Sequence, residues 1–252
     1  MKNTGTLRVG IGGWVFPPWR GGTFYPKGLR QAEELAHASR HVTAIEINGT
    51  FYRIQNPASF KKWHDETPDD FAFSLKAPRF LTHRSELAAA EPYLQRFFDS
   101  GFLELGPKLG PILWQFAPTL QFDAADFAAF LALLPAELGG RRIRHVVEVR
   151  HDSFRTPEFF DLLRERGIAL AAVDDAKYPG FDELTAPGFT YLRLRRCSEK
   201  HDTGYPADAL DVLAQRLQAW SEEGRDVFLY FINGAKTRAP AAAQALIQRL
   251  RN

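Results

Sequence analysis

Few of the residues that mark a protein class at a glance occur in this chain. A single cysteine, Cys197, stands in 252 residues, together with a single methionine. One thiol cannot build an internal disulfide framework or a CxxC metal site, and such cysteine usage fits a reducing, cytoplasmic protein. No run comes near the ~18 apolar residues that a membrane span requires, and Met1-Lys2-Asn3-Thr4-Gly5-Thr6 has no apolar leader core. No membrane partner is expected. Neither sign of charge dominates, since 32 Lys and Arg stand against 30 Asp and Glu. The basic residues are spread along the chain, which neither requires nor excludes nucleic acid. There is no GxGxxG after a strand, no GxxxxGK[ST] and no GxSxG elbow. Gly10-Ile11-Gly12-Gly13 is a glycine-rich strand end, by itself a weak phosphate signal.

Short apolar runs alternate instead with amphipathic helical stretches and turn signals. The runs are Leu7–Gly13, Val42–Asn48, Phe71–Ala77, Gly110–Ala117, His145–Arg150, Ile168–Asp174, Phe189–Arg195 and Asp226–Asn233. Each gap is long enough for a crossover, and eight parallel strands in a chain of this length predict a single closed (β/α)8 TIM-type barrel over residues 1–252. Asn56 before Pro57, Thr156 before Pro157, and Asp123 with Asp126 mark helix starts, and Gly167 closes the helix Glu158–Arg166. Ala-rich stretches at Glu86–Ala90, Ala124–Leu134 and Pro240–Leu250 fit outer helices. The loop from Trp14 to Lys27 is aromatic and rich in Pro and Gly, either a lid or a plug at one mouth.

Polar residues sit on strands that otherwise read as fully buried. On Val42–Asn48, Glu46 and Asn48 share a face opposite Ile45 and Ile47. Lys76 ends the third run, Gln115 lies near the end of the fourth, Glu148 and Arg150 share a face of the fifth, and Asp174 closes the sixth. Tyr191, Arg193 and Arg195 share a face of the seventh, and Asn233 ends the eighth. In a barrel of this kind active sites sit at the C-terminal strand ends, so these groups point to one polar mouth. Unpaired buried charges are strongly destabilising, and groups of both signs there must neutralise one another or await a ligand. Their pKa values are expected to be shifted, with a carboxylate or a lysine made fit for proton transfer near neutral pH. Histidines His83 and His151 fall just past strand ends, and Trp14, Phe16, Trp19, Phe24 and Tyr25 interleave with Arg20 and Lys27 in a loop suited to stacking or to packing. No HxH or HExxH spacing occurs, no HxxxH spacing falls at these strand ends, and Lys76 and the arginines would repel a cation. No metal and no cofactor is expected.

The motifs Ile11-Gly12-Gly13-Trp14, Trp19-Arg20-Gly21, Phe24-Tyr25-Pro26, Glu46-Ile47-Asn48-Gly49-Thr50-Phe51-Tyr52 and Phe73-Ser74-Leu75-Lys76-Ala77-Pro78-Arg79 with Thr82-His83 occur in that order. They are followed by Leu109–Phe116, Val147-Glu148-Val149-Arg150-His151 and Tyr191-Leu192-Arg193-Leu194. Together they resemble the YecE-like family, catalogued as domain of unknown function 72. The resemblance spans nearly the whole chain and implies a TIM-type barrel, but no settled activity. Glu46, Asn48, Lys76, Gln115, Glu148, Arg150, Arg193 and Asn233 match its pattern. Gly49 stands where the family has Ser, Phe154 where it has Trp, and Arg195-Arg196 where it has His-Gly.

The expectation is a metal-independent enzyme, a hydrolase, isomerase or lyase, acting on a small anionic or polyhydroxylated molecule such as a sugar or phosphate ester. Glu46 and Glu148 would be acid and base with Lys76 beside them. Arg150, Arg193 and Lys76 would hold the anion, and Asn48 and Gln115 would orient it. Asp174, Tyr52, His83, Trp14 and Asn233 complete the substrate-binding set. If the paired carboxylates hydrolysed a glycosidic bond, their separation would set the outcome. The alternatives are a nucleic-acid-binding or processing protein, on Arg141, Arg142, Arg144 and the aromatic first loop, and a metabolite-binding barrel without chemistry.

Overall fold

Parallel strands buried on both faces need a sheet whose faces are both covered. In a computed structural model, which describes residues 4–251, eight of them form one closed parallel barrel. Met1–Asn3, part of the stretch read above for a leader, and Asn252 lie outside the described residues. The strands are β1 (Leu7–Gly12), β2 (Ala44–Ile47), β3 (Ala72–Lys76), β4 (Leu109–Gln115), β5 (His145–Glu148), β6 (Ala169–Asp174), β7 (Phe189–Leu194) and β8 (Asp226–Phe231). Each pairs with the next in sequence, and β1 closes the ring on β8 through Leu7 with Val227 and Ile11 with Phe231. The fold is the TIM-type barrel that the strand rhythm predicts.

Closure depends on Gly10. A Cβ there would stand 1.9 Å from the carbonyl oxygen of Ala44 on β2, so only glycine permits the approach of the two strands. Backbone packing thus explains this glycine of the strand end without a phosphate.

The outer helices are α1 (Glu34–Ala38), α2 (Pro57–Asp65), α3 (Glu91–Phe98), α4 (Ala124–Ala132), α5 (Pro157–Glu165), α6 (Ala207–Glu222) and α7 (Ala239–Arg251). Their starts follow the sequence signals. Asn56 accepts from the Ser59 amide at 2.9 Å, Asp123 from Asp126 at 2.9 Å and Thr156 from Phe159 at 3.3 Å. Gly167, at φ +63°, follows the end of α5. Two expectations are corrected. Glu86–Ala90 is no helix: Ala88–Ala90 makes one tight turn, and α3 starts after it at Glu91 with Pro92 in its first turn. The crossover from β6 to β7, residues 175–188, carries no helix; Phe181 seals the gap against Phe159 and Phe160, with centroids 6.5 and 6.3 Å apart. A small antiparallel ribbon, Glu137–Leu138 with Arg141–Arg142, precedes β5 and is not announced by the strand rhythm.

Two apolar regions result. Aromatics such as Phe60, Phe73, Trp114, Phe127 and Phe159 fill the layer between strands and helices. Inside the barrel, alanines of β2, β3 and β6 face Phe189 and Tyr191 of β7 and Phe228 and Tyr230 of β8. Small residues on one side leave room for rings from the other, which is how a barrel lumen is filled without voids. The polar atoms of those rings are met across the lumen, Tyr230 Oη lying 2.8 Å from Ser74 Oγ. Above this plug the lumen turns polar.

Candidate functional site

Side chains alternate along a strand, so the residue two positions beyond an inward one is also inward. After Ala44, Ala72, Leu113, Val146 and Tyr191, all in the lumen cluster, the alternation brings Glu46, Gln115, Glu148 and Arg193 inward near the C-terminal ends. Lys76 follows inward Ser74 in the same way. The Arg193 guanidinium crosses the barrel from β7. Its Nε and Nη2 donate to the two Glu46 oxygens at 2.8 and 2.9 Å, and its Nη1 donates to Glu148. Tyr191 donates its hydroxyl to Glu46 at 2.8 Å, and Gln115 Nε2 and Arg150 Nε donate to Glu148 at 2.9 and 2.8 Å. Arg193, Glu46 and Glu148 are essentially inaccessible to solvent.

The electrostatics follow from this wiring. Burial alone would raise Glu148, but Arg193 and Arg150, with the Gln115 hydrogen bond, hold it at about 2. Burial alone would weaken Arg193 as a base, yet Glu148 and Glu46 raise its pKa. Burial and the adjacent Glu46 charge push Tyr191 well up. This half of the mouth is a closed ion network in which Glu148 and Arg193 stay charged across the neutral range.

Lys76 differs. It is 8% exposed, its ammonium lies 3.8 Å above the Phe51 ring, and among the described residues it makes no ion pair or hydrogen bond through Nζ. Burial first, then the charge of Arg193, lower its pKa to about 7, against the opposing pull of Glu46 and Glu148. His83 is pushed down to about 4 by burial and by Arg79, Lys76 and Arg150, and its ring packs edge-on against Phe51 at 5.4 Å. Arg150 and Arg195 share the Tyr178 ring of the β6–β7 crossover, at 4.8 and 5.8 Å. Lys236, on the loop after β8, lies over Phe16 and Trp19; burial lowers its pKa while Glu46 raises it. Lys76, Arg150, Arg193, Arg195 and Lys236 thus face Glu46, Glu148 and Asp175, leaving an excess of positive charge.

The mouth therefore brings together Glu46, Lys76, Gln115, Glu148, Arg150 and Arg193, with His83 at its edge. Asn48 sits on the rim, its Nδ2 only 3.0 Å from where a Gly12 Cβ would stand. Asn233 is exposed, and its amide, with the oxygen turned toward Arg195, accepts from Nη2 at 2.9 Å. Three predicted residues fall elsewhere. Asp174, one position past inward Val173, points to the outer side, where it accepts from the Arg195 amide and from Tyr205 Oη at 2.7 Å; it ties strand ends together. Trp14 packs edge-on against Trp63 and Phe73 at 5.2 and 6.4 Å, outside the lumen. Tyr52 is 80% exposed on the short helix Gly49–Tyr52. The first loop is pinned: Trp19 Nε1 donates to the Lys236 carbonyl at 2.8 Å and Tyr25 Oη to the Trp14 carbonyl at 2.5 Å. Its buried aromatics pack against one another. His151 caps the turn at Asp152–Phe154. Tyr178 and Lys236 escape a reading by strand ends, because both belong to loops; a lysine three residues past the end of the eighth run is the only available signal, and Tyr178 has none.

Among the described residues no group of three or more His, Cys, Asp or Glu side chains converges as metal ligands, and no helix is long and apolar enough to cross a membrane. Cys197 is buried, its thiol raised to about 12 by burial and by Asp174.

A family model described as "Protein of unknown function DUF72" matches residues 8–252. The chain belongs to the DUF72 family. Among curated relatives, the chain is 30% identical over 151 residues to the UPF0759 protein YecE of Escherichia coli K12, a match covering 59% of this chain and 50% of YecE. It is 28% identical over 161 residues to the UPF0759 protein YunF of Bacillus subtilis, covering 62% and 54%. The chain thus spans about half the length of the curated relatives it matches. Solved DUF72 structures share the fold: one from Thermotoga maritima superposes with a TM-score of 0.74 at 23% identity, covering 98% of both chains. One from Enterococcus faecalis gives 0.75 at 16% identity over 98% and 96%. A xylose isomerase-like TIM barrel fusion protein gives 0.54 at 14% identity over 98% of this chain and 44% of the other. The DUF72 assignment agrees with the family resemblance of the motifs and attaches no reaction to the mouth.

Proposed function

We propose that this DUF72 protein is an enzyme that performs acid/base chemistry, without a metal, on a small anionic molecule such as a sugar phosphate at the C-terminal mouth of the barrel, with Lys76 as the proton-transferring group. The observation that carries this reading is the Lys76 amine, buried against the Phe51 ring with no carboxylate in contact and with its pKa pushed down to about 7. A general base works best when its pKa lies near the operating pH. The excess of positive charge around it attracts an anion and repels a metal ion.

This reading moves the proton transfer from Glu46 and Glu148 to Lys76. Both carboxylates bind the same guanidinium, which occupies the space between them where a glycosidic bond would have to lie. Glu148, held near 2, has no proton to donate at neutral pH. Their role is to hold Arg193 and, through Glu148, to aim Arg150. Against the nucleic-acid alternative, the first-loop aromatics pack against one another and Arg144 is paired with Asp226 at 2.6 Å, while Arg141 and Arg142 make no ion pair among the described residues.

The test is turnover. Purified protein offered a panel of sugar phosphates and followed by mass spectrometry is expected to consume at least one, and Lys76→Met to abolish that consumption. Equal turnover by wild type and Lys76→Met would end the assignment.

A further inference from the structure

Resting on the reading of the mouth as a small-anion site, we propose that Lys76 is a covalent nucleophile that forms an imine with a phosphorylated aldehyde or ketone, the phosphate being held by Arg150 and Arg195. Three features converge on this chemistry. Lys76 Nζ is held against an aromatic face with no carboxylate to fix its proton, so its lone pair is available in a way that an ion-paired lysine's is not. Lys76 is buried, with Leu113 its register partner on β4 and Phe51 beneath its ammonium, and burial favours loss of water from an amine adduct. The two arginines lie on the other side of the mouth, stacked on Tyr178. Arg150 uses Nε on Glu148, and its two Nη atoms make no protein hydrogen bond among the described residues. The Arg150 charge helps to lower the proton affinity of Arg195, which burial lowers first, so an anion between the two guanidinium groups relieves their repulsion. Asn233 steadies Arg195 from the β8 side.

The step balances as follows. The Nζ lone pair attacks the carbonyl carbon, the C–N bond forms and the carbonyl π pair moves onto oxygen, which takes a proton lost by the amine. The hydroxyl then takes a second proton from solvent and leaves as water, and a protonated imine remains on Lys76. His83, neutral at neutral pH and packed on the same Phe51 ring as Lys76, would relay the first proton.

The experiment uses the full chain, dihydroxyacetone phosphate as probe and sodium cyanoborohydride as hydride donor, with peptide mapping by mass spectrometry. Hydride reduction of the imine is expected to leave a stable secondary amine on the peptide that contains Lys76. Labelling is expected to rise with pH through about 7 as the amine loses its proton. Lys76→Arg is expected to lose the label with the circular dichroism spectrum unchanged, and Arg150→Met to slow labelling about tenfold, the loss of roughly one charge-assisted contact. Label that persists in Lys76→Arg, or that spreads evenly over surface lysines, would overturn the proposal. Glycerol 3-phosphate, with the phosphate and no carbonyl, separates the two readings. If it raises the melting temperature and no label forms on Lys76, the imine is wrong and the anion site stands; if neither phosphate ester binds, both are wrong.

Discussion

Two cations are buried in the same barrel mouth and meet opposite fates. On β7, Arg193 is held by three hydrogen bonds from its guanidinium: Glu46 takes two donors and Glu148 a third, while Glu46 also accepts from Tyr191 and Glu148 from Gln115 and Arg150. On β3, Lys76 has an aromatic ring beneath it and no carboxylate in contact. Burial costs each of them its hydration. For Arg193 the carboxylates more than offset that cost and the charge is locked on; for Lys76 they do not, and the proton is held only loosely.

Substitutions can break this contrast. The largest effect is expected from Arg193→Met, which leaves Glu46 and Glu148 buried and unpaired; a loss of roughly 3–5 kcal/mol of stability, read by urea unfolding, is predicted. A loss below about 0.5 kcal/mol would show that the network is not structural. In the acid limb, Glu148 stabilises the native state above its ordinary pKa of 4.5, and that contribution is lost as pH falls through about 2. Lys76→Met is expected to act in the opposite direction, stabilising the fold by roughly 1–4 kcal/mol while removing activity. Its pH dependence sharpens the contrast. Below about 7 the amine is protonated in both states and the cost of its burial is felt in full. Between about 7 and 10.5 the unfolded chain binds the proton that the folded chain has released, so wild-type stability rises with pH. The gain from Lys76→Met is therefore largest below pH 7 and fades toward 10.5; a gain independent of pH would show that Lys76 titrates normally. Asp174→Ala, which leaves the Arg195 amide and Tyr205 hydroxyl without their acceptor, is expected to cost about 1–3 kcal/mol in thermal unfolding, with anion binding at the mouth retained. Smallest is Tyr52→Ala, expected within about 0.5 kcal/mol and without effect on turnover, since the side chain projects into solvent.

The barrel was readable from the chain because its signals are local. Each strand is a short apolar run with a turn signal behind it, and caps such as Asn56 and Thr156 depend only on their own neighbours. The inward residues of the mouth were readable for the same reason, because period-two alternation from Ala44 leads to Glu46 and from Tyr191 to Arg193. The same arithmetic could not place Asp174, because the sixth run fixes no face without knowing that Val173 is the inward neighbour. Trp14 and Tyr52 lie past strand ends, where alternation stops and loop packing takes over. The helix-free crossover that carries Tyr178 and Phe181 has neither a repeat nor a cap to announce it.

Order along the chain was enough to determine that eight parallel strands would close and that charged groups of both signs would meet at one end, because strand period and connection length are properties of neighbouring residues. Which charge would find a partner was decided only by the closed barrel. Glu46, Glu148 and Arg193 are separated by 102 residues from first to second and come from three different strands, so the guanidinium reaches both carboxylates only when the ring is shut. Lys76 stands in that same ring without a carboxylate in contact, and its proton affinity is set first by burial and then by the Arg193 charge, neither of which a local pattern encodes.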